Sequence, residues 1–151
     1  MDLGIKGRNA IVCASSRGLG KGCARALAEN GVNLVINGRD AEVTQATAEE
    51  IRQASGVNVT PVIADVSTPE GQKALLDACP QADILVNNNG GPPFRDFREL
   101  DRESMQQGVT MNFVTPIELA QAVIDGMIER RFGRIVNITS VSVKRPVFGL
   151  D

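Results

Sequence analysis

The chain contains no histidine, tyrosine or tryptophan, and each absence narrows the chemistry open to it. Without an imidazole, Ser-His-Asp triads, Cys-His dyads and zinc sites with histidine ligands are excluded within these 151 residues. Cysteine is scarce: Cys13, Cys23 and Cys79 show no metal-type spacing and read as structural thiols in a reducing compartment, not as a disulfide framework. No apolar run approaches the roughly 18 residues of a membrane span. The N-terminal Met-Asp-Leu-Gly-Ile-Lys-Gly also lacks the long apolar stretch of a signal peptide. The expectation is a cytoplasmic protein with no membrane partner. Sixteen Lys and Arg against eighteen Asp and Glu give a net charge of −2, without the basic excess of a nucleic-acid-binding surface.

What is present is an ordinary globular composition, 42% hydrophobic and 23% charged, enough to bury the core of one domain over residues 1–151. Apolar runs alternate with helical stretches along its length. Strands are expected at Ala10–Cys13, Leu34–Ile36, Val57–Ala64, Ile84–Val86 and Arg134–Thr139. Between them the pattern predicts helices over Gly18–Asn30, Ala41–Ala54 with Asp40 as its cap, Thr68–Ala78 and Leu100–Arg131. In the last of these, Phe113, Ile117, Ala120, Ile124, Met127 and Ile128 form the expected core face and Pro116 marks a kink or an early turn. A Gly/Pro-rich loop spans Asn87–Phe94. Short strands apolar on both faces and separated by helices define an α/β, doubly wound Rossmann fold with a parallel sheet of order 3-2-1-4-5. The fifth strand has only Val141–Asp151 left to cover it. An open apolar edge is an association hazard, so further chain, or a second chain, is expected there.

The most informative segment is Ala10–Gly20, an apolar strand running into Ala14-Ser15-Ser16-Arg17-Gly18-Leu19-Gly20 and then a helix. Such a turn lets backbone N–H groups at a helix N-terminus face a pyrophosphate, and Gly18 and Gly20 allow close approach. The plainer reading is that they are turn and packing glycines. Three further segments follow in order: Ala64-Asp65-Val66, Asn87-Asn88-Asn89-Gly90 and Asn137-Ile138-Thr139-Ser140. By themselves, Asp65 is also a candidate cap, Asn88–Gly90 a candidate Asx turn, and Ser140, with Ser142 second, a hydroxyl satisfying backbone groups. The second strand ends Asn37-Gly38-Arg39, where an acidic residue would bond a ribose 2′-OH and an arginine instead suits a 2′-phosphate. With Arg17 in the glycine turn, Arg39 points to NADP(H) over NAD(H), Asp40 being assigned to helix capping.

Taken together these motifs resemble the short-chain dehydrogenases/reductases, and the resemblance spans essentially the whole chain, most nearly the 3-oxoacyl-acyl-carrier-protein reductase type. It implies a homodimer or homotetramer that moves a hydride between the nicotinamide of NADP(H) and a small ketone or secondary alcohol. It also implies that Ala14–Gly20, Asn37–Arg39, Asp65, Val66, Asn88, Asn89 and Gly90 hold the cofactor, with Asp65 and the Val66 backbone at the adenine. Ser140 would then polarise the substrate carbonyl. Asn112 would open its helix locally and hold a relay water; its plainer role is a bond to a backbone carbonyl. The family's Tyr and Lys would follow Ser140 by about a dozen and about sixteen residues, past Asp151, the Lys lowering a phenol pKa ordinarily near 10. Lys144 is too early for that role and reads as a solvated charge. The chain therefore reads as the N-terminal portion of such an enzyme. The alternative is a non-catalytic NADP(H)-binding or regulatory module, or an inactive fragment. Two departures stand out. Cys13-Ala14 replaces the usual Thr-Gly, which keeps phosphate access open provided the backbone needs no positive φ, and Asn89 replaces Ala beside the expected nicotinamide pocket.

Overall fold

The computed structural model describes residues 2–91 and 96–145. Residues 92–94 of the expected Gly/Pro-rich loop, and residues 146–151 beyond the fifth strand, lie outside the described residues. Five parallel strands, β1 (Asn9–Val12), β2 (Asn33–Gly38), β3 (Val59–Ile63), β4 (Ile84–Asn87) and β5 (Arg134–Asn137), form one sheet in the order β3-β2-β1-β4-β5. The helices are α1 (Gly18–Glu29), α2 (Ala41–Ser55), α3 (Pro69–Ala78), α4 (Arg102–Val109) and α5 (Thr115–Glu129). This is the doubly wound topology that the alternation of the sequence predicts.

The strands are apolar on both faces because both are covered. On one side Ala10, Val12, Leu34, Ile36 and Val86 pack with Ala24 and Ala28 of α1 and Ala48 and Ile51 of α2. On the other, Ile11, Cys13, Val35 and Leu85 meet Leu75 of α3 and Leu119, Val123 and Met127 of α5. The adjacent residues of each strand thus alternate between two cores. β3 forms one edge, where Pro61 removes a donor that no neighbouring strand needs. β5 forms the other, with Val136 47% exposed.

The helical stretch expected over Leu100–Arg131 is interrupted near Pro116 and Asn112, where a kink and a local opening are expected, and its expected core face is corrected. It is broken by a π-helical turn over Thr110–Val114 between α4 and α5. Its inward face is Thr115, Leu119, Val123 and Met127, whereas Phe113, Ile117, Ile124 and Ile128 are exposed. The helix carries two apolar faces, and the sheet takes the row spaced by four residues from Thr115. The composition of the segment cannot distinguish that row from its neighbour.

The thiols are unpaired, and burial pushes Cys13 up to about 12 and Cys79 up to about 11, so neither is a nucleophile at neutral pH. Among the described residues no helix is long and apolar enough to cross a membrane.

Candidate cofactor and active site

The sheet order reverses between β1 and β4, and a crevice opens there beyond the carboxyl ends of the strands. A cavity of about 340 Å³ occupies it, lined by Ala14, Ser16 and Arg17 from the turn after β1, Asn37 and Gly38 at the end of β2 with Arg39 and Asp40 beyond it, Ala64–Ser67 after β3, Asn88–Gly90 after β4, and Met111. Most of the residues singled out for cofactor binding therefore converge on one cleft. A cavity of similar size, about 290 Å³, lies at the opposite strand ends beside Asn9, Asn33, Asn58 and Gln81, and no cation lines it.

The glycine turn is built by side-chain hydrogen bonds from beneath. Ser15 is fully buried; its hydroxyl donates to the Val12 carbonyl at 2.6 Å and accepts from the Asn37 N–H at 3.0 Å. Asn37 is also buried. Its Oδ1 accepts from the Ala14 N–H, and its Nδ2 donates to the carbonyls of Val62 (3.2 Å) and Ala64 (2.9 Å). Ser15, which does not line the cleft, and the Asn37 side chain, all of whose polar atoms are bonded within the protein, thus hold the cleft's frame. Thr47 of α2 donates to the Ser16 carbonyl at 2.8 Å. Asn88 donates to the carbonyls of Cys13 and Ala14 at 3.3 and 3.1 Å, tying the loop after β4 to the turn. Gly20 fits into this knot: a Cβ there would collide with the Ala14 carbonyl oxygen and lie 2.7 Å from Asn88 Nδ2. Leu19 is 70% exposed, its side chain turned away from the packed interior.

The N-terminus of α1 is left open. Asp40 caps α2 through the Val43 N–H, Thr68 caps α3 through the Gly71 N–H and Asp101 caps α4 through the Ser104 N–H. Arg17, at the corresponding position of α1, makes no side-chain cap bond, and the first turn of α1 carries no acidic residue. Uncapped N–H groups at the positive end of a helix are a seat for an anion. The assignment of Asp40 to helix capping is seen directly at 3.1 Å.

At the β2–β3 end of the cleft, Asp65 Oδ1 accepts from the Ser67 hydroxyl at 2.7 Å and the Ser67 N–H at 2.9 Å. These bonds, with Arg39 at 3.8 Å from Oδ2, hold its carboxyl below the usual carboxylate range. Arg39 is otherwise well exposed, its side chain 76% accessible.

A second cavity of about 310 Å³ adjoins the first, lined by Asn87, Asn89, Met111, Asn112, Phe113, Pro116, Asn137 and Thr139 among others. Asn112 lies within the π turn and donates to the Gly108 carbonyl at 3.1 Å. That is the plainer of its two expected roles, and the turn around it is locally opened. Ser140 follows Thr139 but does not line this cavity; its exposed Oγ lies 2.5 Å from that of Ser142. Met111, which lines both cavities, escapes a reading of the sequence because only the break in the helix places it there.

A doubly wound sheet, a glycine turn at its reversal point and an uncapped helix behind it define a dinucleotide-binding class of protein. Residues 8–150 match the short chain dehydrogenase family, and the chain belongs to it. It is 37% identical over 142 residues to the BbsD subunit of (2S)-[(R)-hydroxy(phenyl)methyl]succinyl-CoA dehydrogenase of Thauera aromatica, covering 91% of this chain and 57% of that protein. It is 30% identical over 145 residues to the 3-oxoacyl-[acyl-carrier-protein] reductase FabG of Aquifex aeolicus, covering 93% and 58%. The crystal structure of L-sorbose reductase from Gluconobacter frateurii complexed with NADPH and L-sorbose superposes with a TM-score of 0.93 at 31% identity, over 98% of this chain and 58% of that one. The chain thus spans a little under three fifths of the length of these relatives.

Ala14 has φ +43°, so the proviso attached to its replacement of glycine is not met, and the turn holds an alanine in the left-handed region. That conformation costs an L residue about 1–2 kcal/mol, against roughly 0.5–1 kcal/mol of extra chain entropy that a glycine loses on folding. Ala14→Gly is therefore expected to stabilise by about 0.5–1 kcal/mol, seen as a higher urea midpoint at unchanged slope. An unchanged or lower midpoint contradicts the strain.

Proposed function

We propose that the cleft binds NADP(H) and that the protein works as an oxidoreductase on a small ketone or secondary alcohol, 3-oxoacyl compounds among the candidates. The observation that carries the reading is the uncapped N-terminus of α1 opening on a cleft whose wall includes Arg17 and Arg39. The residues present fit the group. A side chain at position 20 would fill the space at the turn, and the α1 N–H groups have no side-chain partner from Arg17. Backbone groups of Ala14–Gly20 would hold the pyrophosphate, with Asn88 fixing the turn and Asn89 and Gly90 flanking the next part of the cleft. Arg39 and Arg17 would hold a 2′-phosphate, and Asp65 Oδ2 with the Val66 backbone an adenine amino group. When bound, the nicotinamide supplies or accepts a hydride.

The chain's own contribution to chemistry is polarisation. The Ser140 hydroxyl donates to a substrate oxygen and stabilises the charge that develops there, while the π turn presents Asn112 at the adjoining cavity. A second reading, an NADP(H)-binding module without turnover, draws support from the lack of any tyrosine in these residues to donate the proton. A cytoplasmic location fits the three free thiols.

The Arg39 assignment is tested by titrating the protein with NADPH and NADH. Tighter binding of NADPH is expected. Loss of a charge-assisted bond worth about 1.5–3 kcal/mol predicts that Arg39→Asp weakens NADPH about 10- to 100-fold and NADH only a few-fold. An unchanged NADPH preference rejects it. Carbonyl reduction by the NADPH-bound protein separates the enzymatic reading from the binding module.

The proposal extends to a homo-oligomer built on the outer face of α4–α5, where Met105, Val109, Phe113, Ile117, Ile124 and Ile128 form an exposed apolar stripe. Sedimentation is expected to give a dimer or tetramer, and Ile124→Lys with Ile128→Lys a smaller species; a monomeric wild type overturns it.

A further inference from the structure

We infer that Asn89 is the positioning residue of the π turn: its side-chain amide supplies the hydrogen-bond donor that Pro116 lacks, and so fixes the wall between the two cavities. At the junction of the π turn and α5, the Thr115 N–H donates to the Thr110 carbonyl, five residues back. The Met111 carbonyl could accept from residue 115 in an α pattern or from residue 116 in a π pattern. Residue 115 is engaged with Thr110, and residue 116 is a proline without an N–H. The helix therefore offers Met111 no donor. Asn89, on the loop after β4, donates its Nδ2 to that carbonyl.

The bond lies where it matters for the cleft. Asn89 and Met111 are the two described residues that line both cavities. On one side of them lies the cleft over the glycine turn; on the other lies the cavity containing Asn112, the residue that follows Met111. Met111 also reaches back over the loop, its Cε 3.6 Å from where a Cβ on Gly90 would stand. An alanine at position 89 has no donor to offer, so the Met111 carbonyl would be left without one, and the Asn87 Nδ2 bond to the Pro116 carbonyl at 3.3 Å would remain as the side-chain tie from the end of β4 to this junction. The other end of the Asn89 amide is not part of its tie to Met111: Asn89 Oδ1 is buried and has no partner among the described residues. The donor end is therefore what holds the turn, and Asn89→Asp removes that donor while keeping the size and shape of the side chain. The consequence for a bound dinucleotide rests on the reading of the cleft given above; the tie itself does not.

The test uses hydrogen exchange of the Thr115 amide in the ligand-free protein, followed by NADPH affinity. Asn89→Ala is expected to speed exchange at Thr115 about tenfold or more by loosening the turn, while amides of α1–α3 keep wild-type rates. Pro116→Ala restores a backbone N–H at the position that faces Met111. In the Asn89→Ala/Pro116→Ala double variant, exchange is expected to return to within about threefold of wild type. Asn89→Asp has the ionised carboxylate facing a carbonyl at neutral pH and exchanges fast. Its ratio to wild type falls as pH drops through the carboxylate range and an O–H donor replaces the amide. Wild-type exchange in Asn89→Ala, or a double variant as fast as Asn89→Ala, overturns the inference. Should Asn89→Ala not fold, the pH-dependent ratio of Asn89→Asp decides it, and a pH-independent ratio rejects it. NADPH affinity lost in Asn89→Ala should likewise return in the double variant. Wild-type protein that binds no NADPH rejects the cofactor reading and leaves the exchange result standing.

Discussion

The cleft depends on one buried side chain. Asn37, at the end of β2, accepts from the backbone of the glycine turn and donates to two carbonyls at the end of β3, so three strand ends are fastened by a single amide. Every polar atom of that side chain is satisfied within the protein. A buried network of this kind rigidifies when complete and is costly when one member is missing. Ser15 and the Asn37 backbone close the same knot from the other side. With the turn held from below, its upper surface needs no side chains, and the backbone N–H groups of α1 remain free to face a ligand. An alanine at φ +43° is tolerated in the turn because this frame over-determines its conformation.

The three capped helices sharpen the meaning of α1, which has no side-chain cap; α5 lacks one too, but it continues directly from the π turn. Asp40, Thr68 and Asp101 each satisfy an N–H at the start of their own helices, which is what sequences generally do where no ligand is expected. At α1 the cap position is an arginine, a poor substitute for stability and a good partner for phosphate. The residues around the cleft divide accordingly into those that build it, Ser15, Asn37, Thr47 and Asn88, and those that face it, Arg17, Arg39, Asp65 and Gly90.

The sheet order and the glycine turn were legible because their signals are local. Strands apolar on both faces, glycines at a strand–helix junction and Asp40 ahead of helical sequence each state their own physics. The long helix was not legible in the same way. Its two apolar rows are equivalent until the sheet selects one, and the π turn arises from Pro116 acting together with Asn89, a partner 27 residues earlier in the chain. Met111 was missed for that reason. The buried role of Asn37 was missed because an asparagine beside Gly38 and Arg39 reads as part of a ligand loop until the depth of its side chain is known. Position 14 misled in another way, since sequence gives the size of a side chain but not the sign of φ.

The central claim is that the cleft over the glycine turn is the dinucleotide site. Backbone amide NMR of the protein titrated with NADPH tests it most directly. The account predicts that shifts concentrate at Ala14–Gly20, Gly38–Arg39, Asp65–Val66 and Asn88–Gly90, with Asn9, Asn33, Asn58 and Gln81 at the opposite end of the sheet unmoved. Shifts centred on that opposite cavity, or none at millimolar NADPH, about the weakest binding a specific site would show, would contradict it.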